Sequence, residues 1–402
     1  MKRHELLNKA LSLVNLINRK DFPKYGKGWL SEKSTWGVTD LESYTQIIEE
    51  IFNSEKTISS RFSRKVIYKI IDEAVIEKKK ENEEFTEVTA GLVFDQLQKT
   101  TPAIHQVLAP ISGIRLDNNE GELSIGAFKI GRLEKLDFPI ANTEGYYVKT
   151  SIGNSYDRTL SIEKAKTAFE DFARLILFMS GKGDKTILIR TGLPLYPSIS
   201  HDRMYVETNS FQVTDEAGEL SQSDISNRFL EKIPVDNAFF RSNEVFSELW
   251  QIHDKRQKNE GITDIRKRIL NAALAIGESA RSEDPKNSVI YTCMGLETLF
   301  SYDEGSIFQK SIADRMADTL AFIVAKDKDS RIVTNKLLKK VYAMRSALVH
   351  GGEKQLTNDY ATINTLLRMA IAELLNNPKY SKIKKIEDIY EMVRDAHYSY
   401  QD

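Results

Sequence analysis

Cysteine is nearly missing from this chain: Cys293 is the single one in 402 residues. That excludes an internal disulfide framework and fits a reducing compartment. Cys293 stands in an apolar helical stretch, where the expected role is that of a small buried hydrophobe. An excess of charge is also missing. Lys and Arg number 57 against 58 Asp and Glu, a formal net charge of -1, so no global positive field marks a nucleic-acid binder and any basic surface must be local. Apolar runs never reach the roughly eighteen residues of a membrane span, so no membrane contact is expected. The opening Met1-Lys-Arg-His-Glu-Leu-Leu-Asn-Lys-Ala has no run of signal-peptide type, and a cytoplasmic protein is expected. Internal repeats and low-complexity tracts are absent. No Gly-x-Gly-x-x-Gly or Walker-type loop appears in the middle of the chain, nor any His, Cys or carboxylate cluster at metal-ligand spacing. Neither a metal nor a cofactor is therefore expected.

What is present is an ordinary globular composition, 41% apolar and 29% charged, long enough for two to three domains. Leu6, Leu7, Leu11, Val14 and Ile17 recur at helical spacing and predict a helix over 3–18. A loop follows from Asp21 to Gly37, holding Pro23, aromatics between Tyr25 and Trp29, and Trp36, which are expected to pin the loop to its own core. Thr39-Asp-Leu-Glu reads as a capping box for a helix over 41–52. Further helices are predicted over 63–77 and 89–98, the first ending in the mixed charge run Glu77 to Glu84, the second at Thr100-Thr-Pro102. The period then changes to strands at 112–116, 123–125, 128–133 and 146–152. An amphipathic helix at 162–179 carries Ala165, Phe169, Phe172, Leu175, Ile176 and Met179 on one face. Strands at 186–190 and 204–213 flank the loop Gly192 to Pro197. The polar, turn-rich stretch 215–226 is a candidate boundary. Beyond it the chain reads as helical to the end, beginning with a helix over 242–253 that carries Val245, Phe246, Leu249 and Trp250. The expected organisation is a helical segment 1–105, an α+β region 106–235 that stands apart or joins 1–105 in one domain, and a helical domain 236–402.

One stretch organises the rest: Val341-Tyr-Ala-Met-Arg345-Ser-Ala-Leu-Val-His350-Gly-Gly352. Leu337, Leu338, Val341, Met344 and Leu348 form a helical apolar stripe. Arg345 falls one heptad after Leu338, on or at the edge of that stripe, where a cation must be paired or face a partner. His350 follows five residues later, with a side chain suited to proton transfer near neutral pH. Gly351 and Gly352 can take the left-handed conformation that closes a helix. His4, His105, His201, His253 and His397 stand in no such constellation.

This run resembles the Arg-x4-His signature of HEPN domains, and more closely their Apea-like group, in which an Arg-Ser-x-x-Val-His-Gly run follows a helix such as Lys336-Leu-Leu-Lys-Lys-Val-Tyr342. Upstream, the stretches from Asp264 to Ile276, Ser288 to Phe300 and Phe308 to Ala317 resemble the family's first three helices, with Glu297 at the position of its internal glutamate. The likeness covers roughly residues 245–376 and implies an all-α HEPN-type bundle behind an α+β N-terminal region. It implies a metal-independent endoribonuclease as well. Such cleavage lets a ribose 2′-hydroxyl attack the adjacent phosphate, with one group taking the proton and another giving one to the leaving 5′-oxygen. His350 suits the proton transfers and Arg345 the phosphoryl charge. One histidine per chain is too few for both transfers, so a homodimer with a composite site is expected. Glu297 is expected to hold Arg345 or Arg315, and Ser346 to orient phosphate or stand idle on the surface. Lys336, Lys339 and Lys340 hold the RNA backbone or form a solvated face. As HEPN domains are commonly deployed, the resemblance implies an anti-phage toxin answering to a phage-derived trigger or a neutralising partner. The alternative is a non-catalytic HEPN module that dimerises and binds RNA or a protein.

Overall fold

The computed structural model describes residues 2–17, 28–30, 35–116, 121–135, 145–181, 187–192, 204–214, 220–302, 311–352 and 355–398. They form two compact units: Met1–Val107 with Ser151–Ala165, and Leu108–Thr150 with Lys166–Asp402.

In the first unit the chain runs α1 (Arg3–Ser12), β1 (Val14–Ile17), β2 (Gly28–Leu30), β3 (Thr35–Val38), α2 (Leu41–Ser54), α3 (Lys56–Ser59), α4 (Arg64–Glu81), α5 (Glu87–Leu92) and α6 (Asp95–Gln98). The first helix stops at Ser12, short of the expected 18. Residues 14–17 instead pair antiparallel with β3, Val14 opposite Val38 and Ile17 opposite Thr35. β-Branched residues suit either element, and a partner strand some twenty residues on decides between them. Asp40, rather than Thr39, caps α2: its Oδ1 accepts from the Ser43 N–H at 3.0 Å, while the Thr39 hydroxyl donates to Leu13 O. Ser63 caps α4, which outruns the expected 77 because Lys78 pairs with Glu81 and Glu83 and Asn82 turns left-handed at φ 57°. The helix expected over 89–98 is broken between α5 and α6. Leu6, Leu7, Tyr44, Ile48, Ile67, Ile71 and Phe94 form the core, and Trp36 packs half-buried against it. Of the expected aromatic loop, 21–27 and 31–34 lie outside the described residues, as do 193–197 of the loop expected from Gly192.

The second unit contains a five-stranded sheet. The chain continues through β4 (Ala103–Ser112), β5 (Ile114–Arg115), β6 (Leu123–Ile125), β7 (Phe128–Arg132), β8 (Tyr146–Ser155), α7 (Arg158–Ser180), β9 (Arg190–Thr191), β10 (Met204–Thr214), β11 (Leu220–Glu231) and β12 (Ile233–Pro234), of which the start of β4, the end of β8 and the start of α7 count with the first unit. The sheet order is β6-β7-β8-β4-β9, and the short β12 pairs parallel with β5. β4 begins at Ala103, well before the expected Ser112, since sheet pairing rather than local hydrophobicity sets its length. The boundary expected at 215–226 does not survive: 220–226 lie inside β11, which pairs antiparallel with β10 from Met204 opposite Glu231 to Thr214 opposite Leu220. Serine, glutamine and aspartate look like turn residues locally, but a long hairpin ladder overrides that preference.

The helical part comprises α8 (Asn237–Ser242), α9 (Ser247–Gln257), α10 (Asp264–Arg281), α11 (Pro285–Phe300), α12 (Ile312–Val324), α13 (Lys328–Val349), α14 (Asp359–Asn376) and α15 (Ile386–Tyr398). The helix expected over 242–253 is thus split at Asn243, and the third motif-bearing helix starts after its Ser311 cap, with 308–310 outside the described residues. Side-chain caps at Thr263, Asp284, Ser311 and Asp327 satisfy the first turns of α10 to α13. Ile269 and Ile276 of α10, Val289, Leu296 and Phe300 of α11, Leu338 and Val341 of α13 and Leu367 and Ile371 of α14 are all buried. Each such side chain contributes about 1.5–3 kcal/mol by leaving water. The architecture is therefore a mixed α and β region followed by a helical part. Gly277 lets α10 approach α7: a Cβ there would stand 2.0 Å from Arg174 O.

Candidate functional site

Helix α13 buries Leu338, Val341 and Met344 and leaves Leu337 and Leu348 half-buried, so the expected stripe faces the core. His350 is the residue at which the helix ends. Its N–H donates to Ser346 O at 3.1 Å, Gly351 takes φ +72°, and the Gly352 N–H returns to Ala347 O at 2.7 Å. That six-to-one hydrogen bond across a left-handed glycine is the Schellman closure. It leaves the imidazole exposed at the helix C-terminus. Ser346, one turn earlier, is exposed as well.

Arg345 is half-buried, and Glu297 of α11 meets it: Nη2 lies 3.4 Å from Glu297 Oε1. The same carboxylate oxygen accepts the Tyr342 hydroxyl at 2.8 Å, and the Arg345 guanidinium sits 5.8 Å from the Tyr342 ring centre. Tyr342 thus braces both partners, with its own pKa raised by burial and by the hydrogen bond to Glu297. Sequence reasoning passed it over. Its signal was its place three residues before Arg345, which on a helix means the neighbouring turn of one face. Glu297 pairs with Arg345. Arg315, its other expected partner, has Nε and Nη1 buried with no hydrogen-bond partner among the described residues.

The lysines divide. Lys339 Nζ stands 2.5 Å from Asp314 Oδ1 and Lys340 Nζ 2.5 Å from Asp359 Oδ2. Hydrogen bonds from Lys340 and then Thr357 hold the Asp359 carboxyl below the usual range. Lys336 is exposed and lines a groove of about 240 Å³ with Phe322, Arg331, Asn335 and Val393. At 100° per residue, Lys339 lies within about 20° of the face on which α13 ends at His350, and Ser346 falls one heptad after Lys339. Lys340 is turned aside by its partner.

Cys293 is buried beneath this region with Sγ 4.0 Å from Val341 O. Burial, and next the Glu297 charge, push its thiol up to about 12, so it is no nucleophile. His253 is buried against the Phe128 ring, its Nε2 3.4 Å from Asp171, and His105 Nδ1 lies 2.7 Å from the buried Ser161 hydroxyl. His201 is outside the described residues. Among the described residues no group of His, Cys, Asp or Glu could hold a metal ion, and no helix is long and apolar enough to cross a membrane.

No family model, no curated protein and no solved structure matches this chain.

Proposed function

We propose that the C-terminal helical part is an Apea-like HEPN domain and that the protein is a metal-independent endoribonuclease of the cytoplasm. The single observation that carries this reading is the helix end itself: an arginine fixed by Glu297 and Tyr342, followed within one helical turn and a half by an exposed imidazole at a Schellman closure. An anchored guanidinium suits a developing phosphorane charge because it needs little reorganisation. An exposed imidazole can reach a ribose hydroxyl.

In the proposed reaction the 2′-oxygen attacks the adjacent phosphorus as an imidazole takes its proton. The bond to the 5′-oxygen breaks, and that oxygen receives a proton from a second imidazole. The products are a 2′,3′-cyclic phosphate and a 5′-hydroxyl. Both proton transfers need a histidine, so His350 from each protomer of a two-fold dimer forms one composite centre with two copies of Arg345. Ser346 and the exposed Lys336 border the path of the RNA; Lys339 joins them by leaving Asp314. The cellular role in this reading is an anti-phage toxin, held by the preceding α+β region or a neutralising partner until a phage-derived trigger arrives.

The pairing of Arg345 with Glu297 also favours a second reading, in which the guanidinium is structural and the domain only dimerises and binds RNA or a protein. One assay separates them. Purified protein is incubated with total RNA in EDTA beside His350→Ala and Arg345→Ala. The nuclease reading expects cleavage to cyclic-phosphate ends by wild type and a loss of at least about 100-fold in both variants, with folding and dimerisation intact. Wild type that never cuts, with or without infected-cell extract, supports the binding module.

A further inference from the structure

Arg368, in the middle of α14, is a cation that no acid meets among the described residues. Its Nη2 donates to Met179 O at 2.9 Å, at the C-terminal end of α7. Its guanidinium lies over the rings of Phe178 and Phe246, 5.7 and 5.5 Å from their centres. Its Nε is buried without a hydrogen-bond partner. Burial lowers its pKa and no carboxylate offsets the effect. Four other half-buried arginines of this unit face a carboxylate, Arg174 Glu278, Arg256 Asp171, Arg266 Glu248 and Arg345 Glu297, whereas Arg132 and Arg315 share with Arg368 a buried Nε that has no hydrogen-bond partner among the described residues. A carbonyl and two ring faces soften a buried positive charge but do not neutralise it.

Arg368 also forms one wall of a cavity of about 110 Å³. Tyr360, Asn364 and Thr365 of α14, Ser279 of α10 and Gly181 after α7 complete its polar lining. Gly181 has φ +64°, and a Cβ there would stand 2.2 Å from Arg368 Nη1, so glycine is what admits the guanidinium. Asn364 is already committed, donating to Ser279 Oγ at 3.2 Å and accepting from Thr292 at 2.9 Å. Among the described residues no acidic side chain lines the cavity, and neither Arg345 nor His350 does.

We propose that this cavity binds a small oxyanion, a phosphate group, with the Arg368 guanidinium as its counter-charge and the Tyr360 hydroxyl as a further donor. The planar fork of arginine matches two phosphate oxygens at once, and the cavity has the size of a tetrahedral oxyanion. The bare structural role, a clamp on the end of α7, uses the Nη2 contact and the two ring faces and brings no carboxylate to the guanidinium among the described residues. This site does not rest on the ribonuclease reading.

The test is phosphorus-31 line broadening with the full chain, at fixed ionic strength set by chloride. Two probes are titrated, inorganic phosphate and adenosine 5′-monophosphate, against wild type, Arg368→Lys and Tyr360→Phe. Wild type is expected to broaden the phosphate resonance. Arg368→Lys keeps the charge but loses the fork and is expected to bind about tenfold more weakly. Tyr360→Phe removes one hydroxyl and is expected to weaken binding a few-fold. Broadening of both probes identifies a phosphate monoester site; broadening of inorganic phosphate alone identifies a free-anion site. No broadening by wild type, or equal binding by wild type and both variants, overturns the proposal.

Discussion

Glu297 decides how the motif residues stand. It was legible as a partner for a buried cation, because a carboxylate amid Met294, Leu296, Leu299 and Phe300 needs a counter-charge. That the cation is Arg345, and that Tyr342 shares the same oxygen, comes from the packing of α11 on α13. The same packing buries Cys293, and this yields a pH prediction. Its folded pKa of about 12 lies above the thiol's ordinary 9, so the unfolded chain ionises first as pH rises. The stability owed to the neutral thiol is complete below about pH 9 and is lost towards pH 12, at up to about 1.4 kcal/mol per pH unit. Urea midpoints measured from neutral to alkaline pH should therefore fall more steeply for wild type than for Cys293→Ala. Parallel curves would refute the assignment.

At the scale of elements, capped helices of the C-terminal part were readable: α10, α11 and α13 contain the stretches singled out in the sequence, and α13 begins at Lys328, more than two turns before Lys336. Residues 14–17 and 220–226 were not, because a strand is defined by its partner and not by its own composition. The end of α13 carries a prediction of its own. Gly351 has open space where a Cβ would stand but a left-handed φ, whereas a Cβ on Gly352 would meet Ala347, its Cβ at 3.4 Å and its carbonyl oxygen at 3.6 Å. Gly351→Ala should cost about 1–2 kcal/mol, and Gly352→Ala distinctly less. Thermal unfolding of the two variants checks this; equal losses would mean that the Schellman closure does not hold His350 in place.

For the whole molecule the decisive question is the second copy. If each composite centre needs two imidazoles, a dimer with one His350→Ala protomer is inactive. Excess His350→Ala chain, co-folded with wild type, should suppress cleavage well beyond its simple dilution, in proportion to the mixed dimers formed. Activity that falls only with the fraction of wild-type chain, or a protein that stays monomeric by light scattering at assay concentration, would remove the composite site.

The amino-acid order by itself determined the helical character of the C-terminal part, the cap and breaker positions of its helices, the arginine–histidine spacing and the glycines that end α13, since these are local properties of three to seven neighbouring residues. Tertiary structure decided what lies far apart in the chain: the pairing of β1 with β3 and of β10 with β11, the return of 151–165 to the first unit, the carboxylates that occupy Lys339, Lys340 and Arg345, and the absence of one for Arg368 among the described residues. Contacts of that kind depend on which surfaces folding brings together, and no local pattern encodes them.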